Sequence, residues 1–187
     1  MMICSVFIAT SADCYIAMPD GAVDWLHTTG NLEADLGSED MGWQSFIESV
    51  DYMIMGRKSM DAIASMNLTP EQWPYADMNI VVLSCTVKMP PISFHSETEM
   101  YSGDIHELIK DLDARGYKHA YIDGGETITS FIELGLINEM TITPLPVLLG
   151  NGIALFGKVN RQIKLEKPVI LAFPNDFVQV KYTVSSL

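Results

Sequence analysis

The sequence predicts an α/β sandwich with a mostly parallel central sheet, and three observations predict it. Short apolar runs alternate with amphipathic segments of helical period, several runs end in a glycine- or hydroxyl-bearing turn, and only the tail shows the alternation of a half-buried antiparallel strand. The runs at 3–9, 52–55, 80–83 and 120–122 are apolar and short enough for strands covered on both faces, and 140–143 reads as another strand. Between them, Trp43, Phe46, Ile47 and Val50 fall at i, i+3, i+4 and i+7, and so do Ile105, Leu108, Ile109 and Leu112. The second of these helices has Asp104 and Glu107 at capping-box spacing and Gly116 as its stop. Met60, Ile63 and Ala64 continue a helical stripe after the second run, while Ile128, Phe131 and Ile132 do so after the fourth, closed by Gly135. In the tail, Val178, Val180, Tyr182 and Val184 alternate with polar residues, and a turn at Pro174-Asn175-Asp176 folds this strand against 169–173.

Composition narrows the function. A chain of 187 residues, 48% hydrophobic and 19% charged, fits one domain over 1–187 and is neither disordered nor fibrous. Eleven Lys and Arg against 24 Asp and Glu give a net charge of -13, which repels nucleic acid and anionic membrane surfaces but leaves an anionic small molecule open, because a local cluster of amides and cations outweighs distant charge. No apolar run approaches the roughly 18 residues of a membrane span, and no basic head precedes an apolar leader, so a cytoplasmic location is expected. Three widely spaced cysteines read as buried or incidental thiols, and four scattered histidines lack metal-ligand spacing, so no metal site is expected.

Three turns carry the candidate chemistry. Gly56-Arg57-Lys58-Ser59 follows a strand and opens a helix, where free first-turn amides and two cations suit a phosphate, or where a plain turn carries two solvated cations. Asp123-Gly124-Gly125-Glu126-Thr127 repeats the arrangement; its glycines allow a pyrophosphate to approach the backbone, or serve a tight turn of positive φ. Ser84-Cys85-Thr86 follows a third strand with hydroxyls that bind sugar or phosphate or cap the turn. All three should lie on one edge of the sheet, beyond the carboxyl ends of its strands, where an extended nucleotide could span them.

These motifs have an order. The segments Ala9-Thr10-Ser11-Ala12-Asp13-Cys14-Tyr15-Ile16-Ala17, Asp20-Gly21, Val23-Asp24-Trp25-Leu26, Met55-Gly56-Arg57-Lys58-Ser59, Val82-Leu83-Ser84, Asp123-Gly124-Gly125, Leu136-Ile137-Asn138-Glu139 and Pro146-Val147-Leu148-Leu149-Gly150-Asn151-Gly152 together resemble the dihydrofolate reductase superfamily, in particular the branch with the riboflavin-pathway pyrimidine reductase domain. The resemblance implies a dihydrofolate reductase-like three-layer sandwich and a reductase that passes a hydride from extended NADPH to a small flat nitrogen heterocycle. It implies that Gly56, Arg57, Lys58 and Ser59 hold the adenosine half, Ser84 lies near the 2′-phosphate, Gly124, Gly125, Glu126 and Thr127 hold the pyrophosphate, and Ala9 and Ile16 line the nicotinamide pocket. A homodimer is the family expectation, and the apolar stretch 144–156 offers an interface or simply core. Replacing Gly125 by Asp is expected to lose cofactor with the fold retained.

Three departures qualify the resemblance. Cys85 stands where members of the branch often carry Arg after the serine, which leaves NADH possible beside NADPH. The segment 26–30 after Trp25 holds no carboxylate of the kind true dihydrofolate reductases use, leaving Asp24 as a weakly placed proton donor or a solvated loop acid. No Lys or Arg occurs in residues 1–50 to hold a ribose phosphate. Trp25 roofs a substrate or covers the core edge, and Asp13 organises its loop through backbone hydrogen bonds. The alternatives are a non-catalytic nucleotide-binding module of the same fold, a true dihydrofolate reductase, and a domain whose glycine turns are only structural.

Overall fold

In the computed structural model, which describes residues 2–37, 40–75 and 78–186, ten strands and five helices follow the expected alternation. The strands are β1 (Ile3–Ser11), β2 (Tyr15–Ala17), β3 (Tyr52–Gly56), β4 (Asn79–Leu83), β5 (Thr98–Tyr101), β6 (His119–Asp123), β7 (Glu139–Leu145), β8 (Ile153–Ala154), β9 (Ile163–Ala172) and β10 (Val178–Ser186). The helices are α1 (Trp25–Thr28), α2 (Trp43–Glu48), α3 (Arg57–Ser65), α4 (Ile105–Ala114) and α5 (Gly125–Glu133). Eight strands form one sheet in the order β5-β4-β3-β6-β1-β7-β10-β9. The pairings from β5 to β7 are parallel, and β10 joins antiparallel to both β7 and β9. β2 and β8 make a separate antiparallel ribbon.

Register sorts the side chains into layers, because alternate residues of a strand face opposite sides. Val6, Ile54, Val81, Ala120, Ile122 and Met140 face α4 and α5, packing with Leu108, Leu112, Ile128 and Phe131. Met53, Met55, Ile80, Val82 and Tyr121 face the other way, toward Ile47 of α2 and Met60 of α3. Ile54, Ile80, Val81, Val82 and Ile122 are fully buried, and each such side chain contributes about 1.5–3 kcal/mol by leaving water. The continuous apolarity of these strands thus reflects a sheet covered on both faces.

Several local expectations need correction. Only half of the capping box on α4 forms: Asp104 Oδ1 accepts from the Glu107 amide, but the Glu107 carboxylate turns to Lys110 Nζ at 2.7 Å. β5 is an edge strand whose residues are at least partly exposed, and its sequence Thr-Glu-Met-Tyr lacks the apolar run that marks the central strands. In the stretch 144–156, Leu145 and Leu155 are buried in the core, whereas Leu148 and Ile153 are exposed. More apolar surface lies on edge strand β9, where Val169, Ile170 and Leu171 are all exposed. Among the described residues, no helix is long and apolar enough to cross a membrane.

Candidate functional site

Three adjacent strands end level. Gly56 pairs with Leu83 and Met55 with Asp123, so the turns after β3, β4 and β6 open side by side on the carboxyl edge of the sheet. There they frame an outer cleft of about 270 Å³ lined by Gly56, Arg57, Lys58, Ser84, Cys85, Thr86, Glu126 and Thr127, together with Leu83 and Ser130. Gly56 caps α3 in extended conformation, and a Cβ there would sit 2.9 Å from Thr127 Oγ1. Gly124 has φ +87°, and a Cβ there would collide with the Ser59 hydroxyl. Both positions therefore need glycine to bring the backbone close.

The side chains of this cleft are already engaged. Arg57 pairs with Asp61 at 2.6 Å on its own helix, and Lys58 reaches Glu126 Oε1 at 2.6 Å between the first turns of α3 and α5. Both pairs are exposed, and such pairs are weak enough to exchange for a stronger anion. Ser84 is buried and its Oγ accepts from the amides of Thr86 and Val87, leaving its own proton to offer. Ser59 departs from its expected role: its hydroxyl bonds to the Asp123 carboxyl rather than facing the cleft.

β1 is central in the sheet, yet Phe7, Ile8 and Ala9 are only partly buried, which marks incomplete cover at its carboxyl half. Over it stands an aromatic group: Phe7 stacks on Phe46 at 4.8 Å between ring centres, Tyr121 meets Phe46 edge-on at 5.2 Å, and Trp43 meets Tyr121 and Tyr75. Asp123 is the carboxylate of this group. Tyr121 Oη lies 3.1 Å from Asp123 Oδ1 and also 3.1 Å from the Phe7 carbonyl. Burial pushes the Asp123 carboxyl above its ordinary range, against the opposing bonds from Tyr121, Ser59 and the Gly124 amide. Burial, and then the nearby Asp123 charge, raises Tyr75 and Tyr121 as well, so both phenols stay protonated at neutral pH. The Tyr121 phenol has one proton for two acceptors here, the Asp123 carboxyl and the Phe7 carbonyl.

The loop after β1 closes one side. Asp13 takes the Ser11 hydroxyl at 2.6 Å and the amides of Leu149 and Gly150 at 3.1 and 2.8 Å, tying the loop after β7 to the loop after β1 as expected of an organising residue. These bonds, led by Ser11, hold its carboxyl below the usual aspartate range. The β2–β8 ribbon then lies against the start of α5: a Cβ on Gly125 would stand 2.6 Å from the Ala154 carbonyl, 3.1 Å from the Leu155 carbonyl and 3.4 Å from Ile16 Cδ1. An Asp at 125 would therefore displace β8, which overturns the expectation that the fold would be unaffected.

The sequence-predicted residues divide accordingly. Gly56, Arg57, Lys58, Ser84, Glu126 and Thr127 come together in the outer cleft, while Gly124 and Gly125 form the start of α5 outside its lining. Ile16 reaches Gly125, whereas Ala9 packs on the Trp25 cluster, so the two bracket the end of β1 rather than sharing one recorded contact. Trp25 is buried with Leu145, Phe173 and Phe177, and its Nε1 has no hydrogen-bond partner among the described residues. Asp24 is exposed at the start of α1 with no capping bond, away from the buried carboxyl chemistry. Sequence reasoning passed over Asp123, treating it as part of a glycine turn. The signal was its position, an acid ending an otherwise apolar central strand.

The comparisons agree with this architecture. The RibD C-terminal domain family matches residues 3–179. The uncharacterized protein YwjB of Bacillus subtilis (strain 168) is 32% identical over 165 residues, covering 86% of both chains. A Shewanella sp. PV-4 protein provisionally assigned to riboflavin biosynthesis superposes with a TM-score of 0.88 at 34% identity, over 99% of this chain and 100% of that one. Enterococcus faecalis dihydrofolate reductase, solved in complex with NADP(H), shares the fold at a TM-score of 0.62 and 11% identity, over 98% and 97% of the two chains. With the match spanning nearly its whole length, the chain belongs to the RibD C-terminal domain family and shares its fold with dihydrofolate reductase.

Proposed function

We propose that the chain is a nicotinamide-dependent reductase of a small planar nitrogen heterocycle, with the dinucleotide along the outer cleft and the heterocycle over the partly covered carboxyl half of β1. The observation that carries this is the level ending of β3, β4 and β6, which sets Gly56, two cations and the start of α5 around one cleft while Asp123 ends the strand next to β1. The residues present fit a dinucleotide, since Gly56 and Gly124 let the starts of α3 and α5 approach one another and the first turns of both helices offer free amides to an anion.

A bound nicotinamide would supply the hydride. Arg57 and Lys58 exchange their carboxylate partners for phosphate oxygens, and Ser84 and Thr86 offer hydroxyls to the ribose end. The aromatic side chains over the carboxyl half of β1 exclude water there and orient a flat ring. Asp123 holds the proton that the reduced ring requires, and Tyr121 and Ser59 position it; Asp24 is too exposed for that task. NADPH is the proposed cofactor, with NADH the alternative left open by Cys85.

Titration of the protein with NADPH and with NADH, read by nicotinamide fluorescence, tests this reading. Saturable binding of either supports it, and the ratio of the two reports whether Arg57 and Lys58 offset Cys85. No binding of either refutes it.

A further inference from the structure

We infer that a second cleft, at the end of the sheet opposite the three turns, binds a small monocarboxylate with a short aliphatic tail, received by Arg161 and Asn138. The cleft is separate from the outer one, and its ligand is independent of the reductase reading.

This cleft has a volume of about 260 Å³ and lies where the carboxyl end of α5 meets the start of β7 and the open end of the β9–β10 hairpin. Its apolar lining is Ile132, Ile137, Ile163 and Val184, of which the first two are buried and the others partly so. The polar groups left over are donors. Asn138 Oδ1 accepts from the Cys4 amide at 2.8 Å, which leaves the Nδ2 protons without a partner among the described residues. Arg161 Nη2 donates to the Ile132 carbonyl at 3.2 Å, and the other guanidinium N–H groups have no partner among the described residues. The Ser185 hydroxyl, on the same lining, is spent on the Glu166 carboxylate. Gly135, at φ +70°, lets the guanidinium lie over the end of α5, because a Cβ there would stand 3.0 Å from Arg161 Nη2.

The neighbouring carboxylates do not claim this cation. Glu133 takes the Asn160 amide at 2.7 Å on one oxygen and Asn160 Nδ2 at 3.1 Å on the other. Glu139 pairs with Lys181, and Glu166 with Lys164. Arg57 and Arg115, by contrast, both have carboxylate partners. A guanidinium anchored by a neutral carbonyl beside a cleft keeps its fork for a planar anion. Arg161 is the one Lys or Arg among the described residues of the lining, so it balances a single negative charge. A phosphate dianion would keep an unpaired charge near Glu133, Glu139 and Glu166. The four aliphatic side chains then favour a hydrocarbon tail over a bare ion.

Isocaproate titrated into isotope-labelled native protein, followed by amide chemical shifts, tests the inference. The amides of Gly135, Asn138 and Ser185 should shift saturably, with a Kd of about 1 mM or tighter. Isohexanol, the neutral alcohol of the same shape, and inorganic phosphate should each bind at least about tenfold more weakly. Arg161→Met keeps an apolar stem and removes the fork, and should weaken isocaproate by at least about tenfold. The alcohol and phosphate titrations need only native protein, so the test holds even where the variant does not fold. Absence of saturable shifts at these amides overturns the inference. So does equal or tighter binding of the alcohol or of phosphate, and so does undiminished binding of isocaproate by folded Arg161→Met.

Discussion

The two ends of the same parallel sheet differ in how they treat polar groups. At the amino end, Asp51 accepts from the amides of Lys118 and His119 at 2.7 and 2.9 Å, and the Cys4 amide donates to Asn138 Oδ1 at 2.8 Å. His119 Nδ1 lies 2.9 Å from the Ser49 carbonyl, so that nitrogen carries the proton and Nε2 accepts from the Ser5 hydroxyl at 2.8 Å. Arg115 donates to the Tyr52 hydroxyl at 2.8 Å while covering its ring. At the carboxyl end, Trp25 Nε1 is buried and unpartnered, Asp123 is held above its usual pKa, and aromatic rings stand partly open. Among the described residues, the one buried side-chain donor left without a partner lies at the carboxyl end, and burying it unsatisfied costs about 1–3 kcal/mol, whereas the polar groups named at the amino end are paired.

The sharpest way to break this contrast is Asp123→Asn. The amide keeps the shape but cannot supply the proton, so kcat/KM with NADPH and whichever heterocycle binds should fall by about a hundredfold or more. Stability should not fall with it. A carboxyl whose folded pKa is raised stabilises the native state below its unfolded value, near 3.8, and that contribution is lost as pH rises through the folded value. Native protein should therefore lose Tm across that window relative to the Asn variant, whose profile lacks this slope. A steeper loss of Tm in the variant would place Asp123 with the structural groups of the amino end.

Asp51→Ala is the counterpart at the closed end. It strands two backbone amides at the starts of β6 and its preceding turn, and should cost about 1–2 kcal/mol, discounted for the exposure of the carboxylate. In a chain of this length that is a fall of roughly 2–8 °C in Tm. Turnover per folded molecule should be unchanged. Lost activity at full stability would show that the amino end is not merely structural.

The contrast between the ends was only partly legible in the sequence. Central strands such as 52–55 and 80–83 announce themselves because burial on both faces demands unbroken apolarity, and the three turns were placed on one edge by their shared position after such strands. What register adds could not be read from spacing: Met55 opposite Asp123 is a pairing between residues far apart in the chain. The same holds for side-chain choice. Ser59 has two uses open to a hydroxyl at a helix start, and only the neighbouring carboxyl decides between them. Lys58 reads as a free cation until Glu126 is brought beside it. Edge strand β5 was invisible because an edge needs no apolar run.

Trp25→Phe sharpens the comparison with a smaller effect. The ring still fills most of the space among Leu145, Phe173 and Phe177, and the change removes a buried donor that has no partner among the described residues. These two consequences oppose each other, so chemical denaturation should show a change within about 1 kcal/mol. If the N–H serves a ligand directly or through water, heterocycle affinity should drop up to about tenfold. A variant much less stable but equal in affinity would make Trp25 a core residue alone.

The smallest effects separate two residues that the sequence places together at the pyrophosphate. Lys58 and Glu126 form an exposed pair at 2.6 Å, and breaking it should change stability by no more than about 1 kcal/mol from either side. Their effects on cofactor affinity should have opposite signs. Lys58→Ala removes a cation from the outer cleft and should weaken NADPH binding, whereas Glu126→Ala frees Lys58 for a phosphate and removes a like charge, and should tighten it. Both changes should shrink as salt rises, since the groups are solvent-exposed. Equal weakening by both variants would mean that the pair acts as a fixed clamp between α3 and α5, with the cofactor reading the helix ends through that clamp rather than through the lysine itself.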